Sequence, residues 1–192
     1  QCGSSWASIN FDKVTSITMM KQKGAFLNNK NKESVDRINC QENMLKYIQD
    51  VKDGKSEVKG RKTSMIDFIK QALSVENPDE RFIINEAWKN NGKDTKSLDN
   101  MIAMVDTSGS MECENGNPLY SAMGLGIRIS EKSKLGKRVM TFNSKPEWVN
   151  LEECKDFVDE VVKVRDAGWG MNTNFHKAMD MILDVIIKNK IP

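Results

Sequence analysis

The chain predicts an α/β fold: a helical region over residues 1–98 followed by a strand–loop–helix unit over residues 99–192. Three observations carry that expectation. Between Ser16 and Trp88 the apolar residues recur at helical spacing and are punctuated by capping residues. At Ile102-Ala103-Met104-Val105 the pattern changes to a short apolar run without alternation, as expected of a strand covered on both faces. After that run, strand-like and helix-like segments alternate to the end of the chain.

The first helix is expected over Ser16 to Leu27, with Ile17, Met20 and Phe26 apolar. The second spans Ser34 to Val51, places Val35, Ile38, Met44, Leu45 and Ile48 toward a core, and stops at Gly54. Ser64 to Leu73 is the third, carrying Met65, Ile66, Phe68, Ile69 and Leu73. Pro78 opens the fourth. There Asn77 can cap, Asp79 and Glu80 favour the positive end of the helix dipole, and Phe82, Ile83, Ile84 and Trp88 form the buried side. From Lys89 to Ser97 the chain turns polar around Asn90-Asn91-Gly92, which predicts the domain boundary.

In the second region the strand ends in Asp106-Thr107-Ser108-Gly109-Ser110. Asn117-Pro118 reads as a cap followed by proline at the first helical position, and Leu119, Ala122, Met123, Gly126 and Ile127 give that helix a small apolar face. Lys137 to Phe142 and Glu147 to Leu151 read as two strands joined by Asn143-Ser144-Lys145-Pro146. A helix with Phe157, Val158, Val161 and Val162 on one face follows. Next comes a glycine-bearing loop, Gly168 to Asn174, and then a last helix with Phe175, Ala178, Met179, Ile182 and Ile186.

The loop after the first strand is where chemistry can be read. Asp106 supplies a carboxylate, and Ser108 and Ser110 supply hydroxyls across a tight turn at Gly109. Such hard oxygen donors suit Mg²⁺, Mn²⁺ or Ca²⁺, whereas zinc prefers nitrogen and sulfur.

This Asp-x-Ser-x-Ser loop, with the helix and strands after it and Thr173 in the later loop, resembles the first half of a von Willebrand factor A domain. The resemblance implies a Rossmann-like, doubly wound α/β fold with a metal-ion-dependent adhesion site. It also implies a ligand set of Asp106, Ser108, Ser110 and Thr173. By the same likeness Asp106 and Thr173 bind partly through water, Ser108 and Ser110 bind directly, and one position is left for a partner's carboxylate. A fifth ligand, an aspartate after a fourth strand, would lie beyond Ile191-Pro192. The sheet is therefore expected to be incomplete, with one edge of the first strand open to another chain.

A second resemblance covers the helical region. Asn10-Phe11-Asp12-Lys13-Val14-Thr15-Ser16, continuing to Ala25-Phe26-Leu27, and Tyr47 to Lys55 are similar to a family of unknown function found in plants, protists and large DNA viruses. That family places such segments before an A-like domain, in an architecture similar to the Ro/TROVE ribonucleoproteins. Thr15 stands where proline is usual. The likeness implies an RNA-associated role as one alternative, and a structural, virion-type scaffold without metal as another.

Composition limits the remaining classes. The net charge of +2 and pI near 8.3 are mild for a dedicated nucleic-acid binder. Basic residues do cluster at Lys52, Lys55, Lys59, Arg61 and Lys62; the last four are the candidate phosphate contacts, against a solvated lysine-rich loop. The longest apolar run falls short of a bilayer span. Cys2, Cys40, Cys113 and Cys154 lack metal-type spacing and read as free thiols in a reducing compartment, the cytoplasm of a host or a virion for a viral protein.

Enzyme readings lack parts, so no catalytic residue is assigned. Gln1-Cys2-Gly3-Ser4-Ser5-Trp6-Ala7 resembles the nucleophile segment of papain-like proteases, but Ser5 stands at the cysteine position. His176 is the only histidine and reads as a surface or helix-packing residue. No Walker A pattern occurs, and Gly124-x-Gly126 lacks a third glycine. The expected function is a divalent-cation-dependent protein-interaction module.

Overall fold

The computed structural model describes residues 5–168, 170 and 172–189. Cys2 and most of the papain-like segment, Trp169 and Met171 of the glycine-bearing loop, and Ile191-Pro192 lie outside the described residues. The fold is mixed α/β and divides into two compact units. One comprises Gln1–Ser64 and Ser74–Asp94; the other comprises Met65–Leu73 and Thr95–Pro192. The third helix, expected in the helical region, thus belongs to the second unit.

The first unit holds α1 (Ser16–Phe26), α2 (Val35–Lys52) and α4 (Pro78–Asn91), with 3-10 turns at Trp6–Ser8 and Phe11–Lys13. Side-chain oxygens start each helix: Thr15 accepts from Thr18 N, Ser34 from Arg37 N, and Asn77 from Asp79 N and Glu80 N. Gly54, at φ 74°, adopts the left-handed conformation just past α2. The core gathers Phe11, Met19, Met20, Phe26, Met44, Ile48, Ile83, Ile84 and Trp88.

Helix α2 buries Met44 and Ile48 as its pattern suggests, but not the other aliphatic residues of that set. Arg37, Cys40, Met44, Tyr47 and Ile48 are buried, while Val35, Ile38 and Leu45 are exposed. The reason is the N-terminal segment. Asp36 accepts from the Trp6 and Ala7 amides, both at 2.9 Å, and the Arg37 guanidinium stacks on the Trp6 ring at 3.8 Å. Polar anchoring rotates the helix toward these partners. Helix α4 likewise runs through the expected polar boundary to Asn91. Asn90 Oδ1 accepts from Gly60 N at 2.8 Å, and the Asn91 amide donates to Gly60 O at 3.2 Å.

The second unit contains α3 (Met65–Ser74), β1 (Ala103–Asp106), α5 (Cys113–Lys132), β2 (Arg138–Phe142), β3 (Trp148–Asn150), α6 (Phe157–Asp166) and α7 (Phe175–Asn189). The sheet order is β1-β2-β3. β1 runs parallel to β2, with Ala103 opposite Val139 and Asp106 opposite Phe142; β2 and β3 are antiparallel. Burial alternates along β1, with Ala103 and Val105 buried and Met104 half-buried, so the strand lacks the two-sided cover its sequence predicts.

Helix α5 closes on the sheet at Gly126, where a Cβ would stand 2.4 Å from Val105 Cγ2. Helix α3 packs on the same unit: Phe68 meets Phe157 edge-to-face at 6.1 Å, and Met65 Cβ lies 3.0 Å from where Gly124 would carry a Cβ. On α6, Glu160 is buried, whereas Val162, expected inside, is only half-buried. Of the apolar residues on α7, Ala178 is buried, but Phe175, Met179, Leu183, Ile186 and Ile187 are exposed.

Candidate functional site

The parallel pairing of β1 and β2 delivers Asp106 and Phe142 side by side, and the chain turns sharply after each. Half-buried Asp106 accepts the Ser108 amide on Oδ1 at 2.8 Å, a short Asx turn that folds the loop back over the strand end. Asp106 Oδ2 has no protein partner among the described residues. Ser108 is 4% exposed and precedes the 3-10 turn Gly109–Glu112. Its Oγ stands 3.0 Å from Ser110 Oγ, on the exposed side of that turn. Asp106, Ser108 and Ser110 therefore converge through their local backbone.

Thr107 points the other way and anchors the loop. It is 3% exposed, and its Oγ1 accepts from the Asn143 amide at 2.9 Å and donates to Gly168 O at 3.3 Å. The same Asn143 amide donates to Gly168 O at 2.6 Å, and Asn143 O accepts Asn174 N at 3.0 Å. A second tie comes from Gly109 N donating to Gly170 O at 3.1 Å. Gly170 suits this approach because a Cβ there would lie 2.8 Å from Ser144 N. The two ties hold the loop bearing Thr173 beside the Asp106 loop. Thr173 is exposed and its hydroxyl is unpaired among the described residues.

Beyond the 3-10 turn the backbone is unusual. Glu114, Asn115 and Gly116 take φ of 51°, 58° and 75° in succession, and regular helix resumes at Asn117-Pro118, as the capping pattern predicts. Left-handed geometry is unfavourable for Glu114, so its surroundings must hold it there. The turn sets the Asp106–Ser110 loop apart from the body of α5. Lys70 on α3 donates to Asn117 Oδ1 at 2.7 Å, at the point where the helix begins.

The donor set is one carboxylate and three hydroxyls. Among the described residues no group of three or more His, Cys, Asp or Glu side chains converges, so a cation here would rest on a single carboxylate, neutral oxygens and water. Two serine oxygens 3.0 Å apart match adjacent corners of an octahedron, which are about 2.9 Å apart when metal–oxygen bonds are 2.0–2.1 Å.

The remaining candidates are placed as follows. Lys55 pairs with Asp53 at 2.9 Å, Arg61 with Asp94 at 3.1 Å, and Lys59 donates to Asp12 O. Lys62 is exposed, while its amide donates to Ser16 Oγ at 3.3 Å. Three of the four basic groups are thus engaged locally. His176 is exposed on the first turn of α7. Cys40, Cys113 and Cys154 are free thiols, and burial pushes the Cys40 thiol up. No described helix is long and apolar enough to cross a membrane. Sequence reasoning missed Asn143, whose only signal was its place directly after a strand, where it read as a turn residue.

Comparison with known proteins gives two matches. The family described as a domain of unknown function (DUF7788) matches residues 100–192. An uncharacterised protein of Acanthamoeba polyphaga mimivirus is 32% identical over 191 residues, covering 95% of this chain and 32% of that protein. The chain thus spans about a third of the length of this relative. No solved structure matches with significance.

Proposed function

We propose that the second unit is a divalent-cation-dependent protein-interaction module of von Willebrand factor A type, with Asp106, Ser108, Ser110 and Thr173 as the cation ligands. The observation that carries this reading is the pairing of Ser108 and Ser110 Oγ, hydrogen-bonded at 3.0 Å, beside a carboxylate whose Oδ2 has no protein partner among the described residues. With one anionic ligand, Mg²⁺ keeps net positive charge and draws an acidic side chain from a partner. Ser108 and Ser110 bind the ion directly; Asp106 and Thr173 hold water on it. The Rossmann-like, doubly wound fold belongs to the same proposal, supported by the parallel β1–β2 pair and the helix between its strands.

Isothermal titration of Mg²⁺ into the full chain and into Asp106→Ala tests this reading. Heat from a single site that disappears in the variant is expected; equal affinity in both would overturn it. Mn²⁺ serves as a second probe, because its paramagnetism broadens NMR signals from residues near the ion.

A second polypeptide segment beside β1 is part of the proposal. β1 lies at one end of the sheet, and its register turns the Met104 backbone groups away from β2.

A further inference from the structure

The opposite end of the sheet carries a separate feature. Thr141 N donates to Glu147 O at 3.0 Å and Leu151 N to Lys137 O at 2.8 Å, which fixes the alternation along β3. Glu147, Val149 and Leu151 turn their backbone groups toward β2; Trp148 and Asn150 turn theirs outward. Neither outward residue has a backbone partner among the described residues. Alongside this open edge, against α6, runs a groove of about 840 Å³. It is lined by Val149, Val162 and Cys154 and by four carboxylates, Glu147, Glu153, Asp159 and Asp166; Lys163 stands 4.0 Å from Glu153 and Arg165 pairs with Asp166 at 2.9 Å, which leaves an excess of negative charge along the groove. The Glu147 carboxylate has no ion-pair partner among the described residues.

We propose that this groove binds an extended, lysine- or arginine-bearing peptide segment, which adds to β3 as a further strand. Its backbone would exchange hydrogen bonds with Trp148 and Asn150, giving affinity, and its basic side chains would meet the acidic walls, giving selectivity. A second copy of the chain fits poorly. Pairing β3 with another β3 would bring two sets of the same carboxylates together in one groove, and like charges across strands repel. This site lies apart from the cation ligands and does not rest on the metal reading.

The test is fluorescence anisotropy of the full chain, in EDTA, with a dye-labelled peptide of alternating lysine and valine. Two control peptides accompany it: one with glutamate in place of lysine, and one with alternate backbone nitrogens methylated so that they cannot donate. Binding of the first peptide, weakened by salt and absent for both controls, is expected, with slowed hydrogen exchange at the Trp148 and Asn150 amides. The double variant Glu147→Lys, Asp166→Lys should bind roughly tenfold more weakly. Both residues are exposed, and an unchanged melting temperature establishes that the variant is folded. Equal binding of the methylated peptide, indifference to the charge reversals, or no binding would overturn the proposal. So would self-association through β3, read by sedimentation and by exchange protection without peptide.

Discussion

The side-chain amide of Asn143 donates to Thr107 Oγ1 at 2.9 Å, joining the ends of two parallel strands at a point where both residues are almost fully buried. That bond, with the amide's second contact to Gly168 O, holds three segments of chain in register behind the ligand loop. Asn143→Ala should lower stability by about 1–3 kcal/mol, because Thr107 and Gly168 lose a buried donor. Mg²⁺ affinity should fall roughly tenfold, as for other residues that support metal ligands. Urea denaturation and calorimetric titration on the same variant measure the two effects.

Within the ligand loop, the proposed roles predict a graded response. Ser108→Ala and Ser110→Ala each remove an oxygen placed for direct contact, whereas Thr173→Ala removes one acting through water. Mg²⁺ affinity should drop further in the serine variants than in the threonine variant. Ser110 and Thr173 are exposed, so their variants should melt like the parent, which separates metal binding from folding.

Glu160 predicts a pH dependence of stability. It is 1% exposed, Oε2 has no hydrogen-bond partner among the described residues, and Lys137 bonds Oε1. Burial pushes the carboxyl up to about 7, against the pull of Lys137 and with added repulsion from Glu131 and Asp156. A raised acid pKa means that the folded state holds the proton more tightly than the unfolded chain. The associated stability is full below about pH 4.5 and is lost as pH rises through about 7. The melting temperature should therefore fall between about pH 4.5 and about pH 7 and level off above that, and Glu160→Gln should flatten that profile. At the upper end the variant should be more stable by on the order of 1–3 kcal/mol; a steeper decline in the variant would contradict the assignment.

The exposed row on α7 predicts self-association. Leu183 and Ile187 are 50% and 70% exposed and lie one turn apart, enough apolar surface to associate weakly in water. Leu183→Lys with Ile187→Lys should shift sedimentation velocity profiles toward monomer at high concentration and leave Mg²⁺ titration unchanged.

The elements of the second unit were legible because each carries its own local signal. The Asp106 loop follows an apolar run, Asn117-Pro118 marks the resumption of helix, and β2 and β3 flank a short turn. What sequence concealed depends on distant partners. No periodicity reports that Asp36 and Arg37 will hold Trp6 and so roll α2 away from Val35 and Leu45. Nothing local marks Asn143 as a hub, since the bonds that make it one come from residues 25 to 36 positions away. Glu160 was hidden because a carboxylate within an amphipathic helix ordinarily faces water.

Helix α3 lies between two stretches of the first unit in the chain, yet packs with residues that come after position 95. The protein is therefore woven rather than strung, and no single cleavage of the backbone yields both units whole. A shortened chain starting at residue 95 would retain the proposed cation ligands while losing Phe68 from beside Phe157 and Met65 from beside Gly124. During synthesis α3 must likewise wait until α5 and α6 exist before it can settle. Transfer of the second unit into another protein would require α3 to be supplied as a separate strip of sequence.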